Sequence, residues 1–388
     1  MARVSRQDRV FGALLAFVVL AILSSRLGWP PWLQFFLCVA AVAPLAGFIG
    51  SATDQLADRI GARSGGLLNA TFGNAPDLLI GYFGVQRGLI PLVKATLIGA
   101  LISNSALIMG ICFLAAGLIH GRPRFRRIEA GHHGVLMLLT MAAVLFPTAG
   151  AIALCGRGAC PAAAGSQLQA LSIGVAVCLL AGYAGYVVFS IFRVERARRP
   201  RHSAAPRPAR RSRAEAGPGA WPVWVALAVL VGSTVLLIPV VDTLTGTVTQ
   251  VTKVLGWTDV FVGIVIVANA GNVAEAYAAI KAAIQRPGTG RDEAEETGLD
   301  LALGIASASS IQIATFILPI VVLLSLFFHP MSLVFGPVEV AILGLMVLVF
   351  NHIAQDGESN WLEGLQLIVL YAMAAVVFYV LPVSAFGG

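Results

Sequence analysis

Apolar residues in this chain come in long runs rather than in alternation. Runs near twenty residues recur from one terminus to the other, and each is long enough to cross a bilayer as a helix. They predict eleven spans, over residues 10–27, 31–57, 64–86, 89–118, 134–155, 167–193, 221–250, 257–285, 297–327, 331–352 and 362–383. Several are longer than a crossing needs, which implies tilt or interruption. The ten-residue alternation of a membrane β-barrel does not occur. One segment departs from the pattern: residues 194–219 hold Pro200, Pro206, Pro208 and Pro218 and almost no apolar mass. They read as a disordered linker between two halves of similar helical content. The expected organisation is a cytoplasmic N-terminus and peripheral helix (1–27), a first five-helix unit (28–193), the linker (194–219) and a second five-helix unit (220–388).

Composition agrees with an all-α integral membrane protein. The 388 residues are 58% hydrophobic and 12% charged, too few charges to cover a soluble domain of this size. The net charge of +7 is no sign of nucleic acid, because nine arginines from Arg193 to Arg213 crowd one stretch between apolar blocks. That is the pattern of a cytoplasmic loop. With the N-terminus inside, Arg3, Arg6, Arg9, Arg59, Arg63, Arg122, Arg124, Arg126, Arg127, the linker arginines, Lys281, Arg286 and Arg291 all fall inside. Arg26, Arg87, Lys94, Arg157 and Lys253 fall outside, as does the C-terminus. The basic Met1–Arg9 stretch and the run after it read as a first membrane helix, not a cleaved signal. The expected location is a bacterial-type cell membrane. Cys38, Cys112 and Cys178 lie in apolar runs and read as core, whereas Cys155 and Cys160 flank an outward loop, where a disulfide and two unpaired residues are equally compatible with the sequence.

The chemistry lies in a repeat. Gly73-Asn74-Ala75-Pro76-Asp77 in the first half matches Gly271-Asn272-Val273-Ala274-Glu275 in the second. Each is followed by a helix with polar residues in mid-span: Ser103 and Asn104 in one, Ser309, Ser310 and Gln312 in the other. Aligning Gly99 with Gly304 sets Asn104 opposite Ser309. The motifs fall on the third and eighth spans, so they cross in opposite directions, the signature of inverted repeats with a midplane site. Residues i and i+3 share a helix face, which puts Asn74 beside Asp77 and Asn272 beside Glu275. Gly73 and Gly271 permit close backbone approach, and Pro76 leaves an upstream carbonyl without its helical donor. Carboxylates, amide oxygens and free carbonyls are hard ligands suited to Ca²⁺. A buried carboxylate pair can hold protons or a divalent cation but not two bare charges, so the two ions compete for one site. That competition is the core of an antiporter.

These motifs, together with the rest of Gly65–Asp77, DLALGIASASSIQIA from Asp300 and DGESNWLEG from Asp356, resemble the Ca²⁺/H⁺ exchanger (CAX) family of the calcium/cation antiporter superfamily. The resemblance spans the chain except for the first helix and the linker. It implies one peripheral helix plus two inverted five-helix repeats, no cofactor, and Ca²⁺ and protons as transported substrates. It implies Asp77 and Glu275 as shared cation and proton sites, with Asn74 and Asn272 beside them and Gly73 and Gly271 in the lead-ins. Asn104, Ser309, Ser310 and Gln312 complete the polar layer. Two departures stand out: the family usually has glutamate where this chain has Asp77, and its central linker is commonly acidic where this one is basic.

Other polar residues have plainer readings. The linker is first a topology determinant and second a surface for anionic lipid. The run Asp292, Glu293, Glu295, Glu296 reads as solvated, and His132 and His133 as solvent-facing at a helix end. Glu339 fits a proton relay and a paired structural carboxylate equally well. Asp356, Glu358 and Glu363 suit capping of the last helix better than cation attraction. Among rival functions, a Na⁺/Ca²⁺ exchanger shares the duplicated acids. An intramembrane diacid hydrolase has no need of a repeat, and a passive channel is usually completed by oligomerisation.

Overall fold

The computed structural model describes residues 6–60, 68, 71–155, 162–192, 221–285, 297–354 and 356–381. Regular structure among them is helical, with one isolated β-bridge between Arg124 and Glu358. This is what a bilayer dictates, since a helix satisfies its own backbone donors and acceptors. In chain order the helices are α1 (Arg6–Arg26), α2 (Pro31–Ile60), α3 (Ala75–Gln86), α4 (Ile90–His120), α5 (Arg127–Cys155), α6 (Ala162–Phe192) and α7 (Val223–Leu255). They continue with α8 (Asp259–Gly271), α9 (Val273–Ala283), α10 (Gly298–Ser325), α11 (Pro337–Ala354) and α12 (Trp361–Val380). Seven stretches among the described residues are long and apolar enough to span a membrane, or eight when α8 and α9 count as one bent span. The protein is a multi-pass integral membrane protein. The linker 194–219, the acidic run 292–296, Cys160 and the side chains of His132 and His133 lie outside the described residues.

Helices α2 and α7 share the most extensive helix–helix contact among the described residues. With α1 they form one apolar cluster through Phe35, Leu45, Ile49, Leu237, Val241 and Leu244. The second cluster joins α4, α5, α10, α11 and α12 through residues such as Ile102, Phe113, Leu343, Phe350 and Phe378. The motif helices bridge the two: α3 gives Ile80 to the first and Val85 to the second, and α8 gives Val267 to the first and Ile264 to the second. Where α4 crosses α8 the backbones nearly touch. A Cβ on Gly99 would lie 2.5 Å from the Ile264 Cα, and one on Gly263 would lie 3.0 Å from the Leu92 carbonyl oxygen. Small residues are what allow such an approach.

Two predicted starts are displaced by six or seven residues. The fifth span was expected from residue 134, but α5 begins at Arg127. The tenth span was expected from residue 331, but α11 begins at Pro337. Residues 331–336 form a largely buried loop, four of whose N–H groups are satisfied by side chains, two of them distant in sequence. Ser325 Oγ accepts from Met331, Ser172 Oγ from Leu333, Thr148 Oγ1 from Phe335 and Glu339 Oε2 from Gly336, all within 3.0 Å. Lys94 donates to the Val334 carbonyl (2.7 Å) and its ammonium stands over the Phe335 ring. Met331, Leu333 and Phe335 are fully or nearly fully buried. Glu339 is therefore a buried cap of α11, with the Lys94 charge nearby. At the last helix Asn360 caps α12 by accepting from the Leu362 and Glu363 N–H groups, and Glu363 accepts from the Asn360 side chain. Cys155 is disulfide-bonded.

Candidate cation-binding site

The two Gly-Asn-x-x-acid motifs do not lie inside continuous helices. Asn74 is the residue before α3, and Asn272 separates α8 from α9, whose axes bend by 61°. The backbone is nearly the same at both breaks: φ −95°, ψ 20° at Asn74 and φ −88°, ψ 4° at Asn272. This bridge conformation interrupts a helix without reversing the chain. The acid is then the third residue of the helix that follows, Asp77 in α3 and Glu275 in α9. Pro76 takes the second position of α3, where the missing N–H is not needed. Asparagine and acid still share a side through i, i+3 spacing, but at a helix start, where unpaired N–H groups favour negative charge.

The motifs face each other. A Cβ placed on Gly271 would sit 2.9 Å from Asp77 Oδ1 and 3.9 Å from Pro76 Cβ, so the Asp77 carboxylate occupies the space that the glycine leaves. Asp77, Asn74 and Asn272 are at most 2% exposed; Glu275 is half-buried and within electrostatic range of Asp77.

A chain of amides surrounds them. Asn74 Nδ2 donates to Gln312 Oε1, Asn272 Nδ2 to Asn104 Oδ1 (3.3 Å), and Asn104 Nδ2 to Ser309 Oγ (3.1 Å). These bonds tie the two motifs to α4 and α10. With the nitrogens directed outward, Asn74 Oδ1, Asn272 Oδ1 and Asp77 Oδ1 are buried without a hydrogen-bond partner. Buried acceptors are normally satisfied, and each orphan carries a desolvation cost. Three unpartnered oxygens from both motifs form a donor set that a hard cation would complete. Ser310 is less involved, since its hydroxyl donates to the Ala306 carbonyl of its own helix. Gly73 contributes the turn before Asn74.

Local distortion supports the polar layer. α4 makes a π-helical turn over Ser103–Ile108, which includes Asn104, and α10 makes one over Ile313–Ile317, directly after Gln312. Each inserts an extra residue into a turn and re-aims the side chains around it. A second network was not anticipated from sequence. Ser103 Oγ donates to Asn269 Oδ1 (2.6 Å), and Asn269 Nδ2 donates to the Val265 carbonyl (2.8 Å) and to the Tyr371 hydroxyl (2.6 Å). Asn269 precedes Asn272 by three residues and was findable by that spacing; Tyr371 stands in an apolar helix without local signature.

The sodium/calcium exchanger protein family matches residues 30–192 and 225–380. A Ca²⁺/H⁺ antiporter of Synechocystis sp. is 33% identical over 391 residues, covering 97% of this chain and 99% of that protein. The Ca²⁺/H⁺ antiporter ChaA of Bacillus subtilis is 32% identical, over 96% of this chain and all of its own length. The solved structure of native YfkE superposes with a TM-score of 0.77 at 31% identity, over 96% of this chain and 100% of that one. On the motifs, the fold and these matches, the chain belongs to the sodium/calcium exchanger protein family.

Proposed function

We propose that this protein is a secondary antiporter that exchanges Ca²⁺ for H⁺, with both ions competing for a site built on Asp77 and Glu275. The three unpartnered oxygens of Asn74, Asp77 and Asn272 are the observation that carries the reading, because both motifs contribute to them and a hard cation would satisfy all three. Asn104, Ser309 and Gln312 hold the amides in place. Among the described residues no three His, Cys, Asp or Glu side chains cluster as a permanent metal site. Two carboxylates with neutral amides suit an ion that must also leave, since Ca²⁺ affinity follows the ligand charge count. Protonating the pair removes the charge that holds the cation, which makes the exchange obligatory. The protein is a transporter, not an enzyme. Relatives about one-third identical along nearly the whole chain are named Ca²⁺/H⁺ antiporters, which favours protons over sodium as the coupling ion.

The reading includes eleven spans. α1 is peripheral. α2, the span ending in α3, α4, α5 and α6 form the first repeat, and α7, α8 with α9, α10, α11 and α12 form the second, inverted one. The boundaries are 28–193 and 220–388, with the N-terminus and linker cytoplasmic and the C-terminus outside. Cross-packing supports the pairing: α6 packs on the π turn of α10, with Tyr183 4.9 Å from Phe316, while α12 packs on the π turn of α4.

The test is Ca²⁺ flux in reconstituted vesicles under an imposed pH gradient, for wild type and Glu275→Gln. Sodium-independent flux that follows the gradient and vanishes in the variant is expected. Flux that requires sodium would move the protein to the sodium-coupled branch.

A further inference from the structure

A further acid lies on a membrane helix, outside the two motifs. Asp242 is three residues past Pro239 in α7, and its Oδ1 accepts from Arg87 Nη2 at 2.6 Å. Arg87, directly after α3, also donates through Nη1 to Thr245 Oγ1 at 2.9 Å, and its guanidinium lies 5.7 Å from the Phe83 ring centre. Gly246 faces the guanidinium, and a Cβ there would lie 3.5 Å from Arg87 Nη2, an ordinary contact. The pair borders an open groove of about 590 Å³ formed by Phe83, Gln86, Arg87, Ile238, Pro239 and Asp242. Neither partner is sealed off, with side chains 32% and 47% exposed.

We propose that Asp242 and Thr245 form an outer acquisition site for the divalent cation, and that Arg87 occupies it as a tethered surrogate cation until the ion displaces it. This rests on the Ca²⁺ antiporter reading and on the outer placement of Arg87. The physical case has three parts. A carboxylate inside a membrane helix is costly unless it has a partner or a task. A carboxylate and a hydroxyl are oxygen ligands for a divalent cation, and the guanidinium, which also lies over the Phe83 ring, fills that role in the resting state. The groove leaves the carboxylate reachable, so a divalent ion can compete for it. The pair also spans two elements with different attachments. α3 carries Asp77, and α7 packs most extensively on α2. Displacing Arg87 removes the polar tie between the end of α3 and α7 while their apolar packing remains, so arrival of the ion and release of that tie become one event.

The test uses equilibrium ⁴⁵Ca²⁺ binding to the purified protein and Ca²⁺ uptake from the outer side of vesicles. Arg87→Gln removes the competitor and is expected to lower the half-saturating Ca²⁺ concentration about 2- to 5-fold, the range set by an exposed ion pair. Asp242→Asn removes the ligand and is expected to raise it. If both variants shift the value in the same direction, or neither shifts it, the pair is a structural clip and the proposal fails. Binding requires no gradient, so the opposite shifts remain readable if transport proves sodium-coupled. In Asp77→Asn with Glu275→Gln the midplane site is removed, and residual weak binding sensitive to Asp242→Asn would support the outer site independently.

Discussion

Replacing Gly271 with alanine separates the proposed site from the fold more cleanly than neutralising an acid does. The new Cβ would fall 2.9 Å from Asp77 Oδ1, where ordinary contact begins at 3.4 Å, so the carboxylate oxygen must retreat by 3.4 − 2.9 = 0.5 Å. It is the far end of a side chain and can move without backbone strain. Gly271 ends α8 in a helical segment and has no positive φ, so alanine is locally favourable by about 0.5–1 kcal/mol. Stability is therefore expected to hold or rise. Calcium binding is less tolerant, because Ca²⁺–oxygen distances occupy only about 2.3–2.6 Å. A 0.5 Å displacement of one ligand exceeds that range, and we expect half-saturating Ca²⁺ to rise on the order of 10-fold, about 1.4 kcal/mol. The assay pairs thermal unfolding with vesicle flux. Gly99→Ala is the contrast, since its Cβ would meet the Ile264 Cα at 2.5 Å and backbone cannot step aside. That variant should lose stability first, by about 1–3 kcal/mol. Gly271→Ala with wild-type half-saturation, or with the instability of Gly99→Ala, would refute the placement of Asp77 as a ligand beside this glycine.

Three further outcomes follow from other contacts. Tyr371→Phe removes an acceptor from Asn269 Nδ2 and should cost about 1–3 kcal/mol, seen as a lower unfolding temperature. Lys94→Met removes the charge near the buried Glu339 and the donor to the Val334 carbonyl and should destabilise by about 1–3 kcal/mol; adding Glu339→Gln should recover part of the loss, and a double variant worse than the sum would contradict their electrostatic coupling. Ca²⁺ at 100 times its dissociation constant should stabilise the wild type by about 2.7 kcal/mol. Because protons compete for the same carboxylates, that gain should shrink as pH falls, and thermal scans of Glu275→Gln should show little of it at any pH.

The parts legible in the sequence are those in which one short segment carries the whole signal. The duplicated Gly-Asn-x-x-acid segments announce two buried acids with their amides, and the structure brings Asp77 against Gly271 of the other motif. Helix existence was equally plain, because a bilayer-length apolar run has few alternatives to a helix. What escaped was set by partners far along the chain. The helix break at Asn272 has no proline beside it, unlike the break at Asn74, so nothing local in the second motif demands it. The loop 331–336 is as apolar as a helix, and the distant hydroxyls of Thr148 and Ser172 are among the partners that let it be buried as a loop.

Asp242 shows the same limit most sharply. In VDTLTGTVT it reads as one polar residue in a threonine-rich turn, and its partner Arg87 lies 155 positions earlier. Sequence inspection ranks acids by the motifs around them, and that ranking favours Asp77 and Glu275. Physics ranks them by what each must be paired with in a low-dielectric slab, and on that scale an acid held by a single half-exposed arginine is also a candidate for ion traffic. The two rankings differ because a midplane site must bind both ions through repeated, shared ligands. An entry point needs only one charge that can exchange partners, and a single exchangeable charge requires no motif.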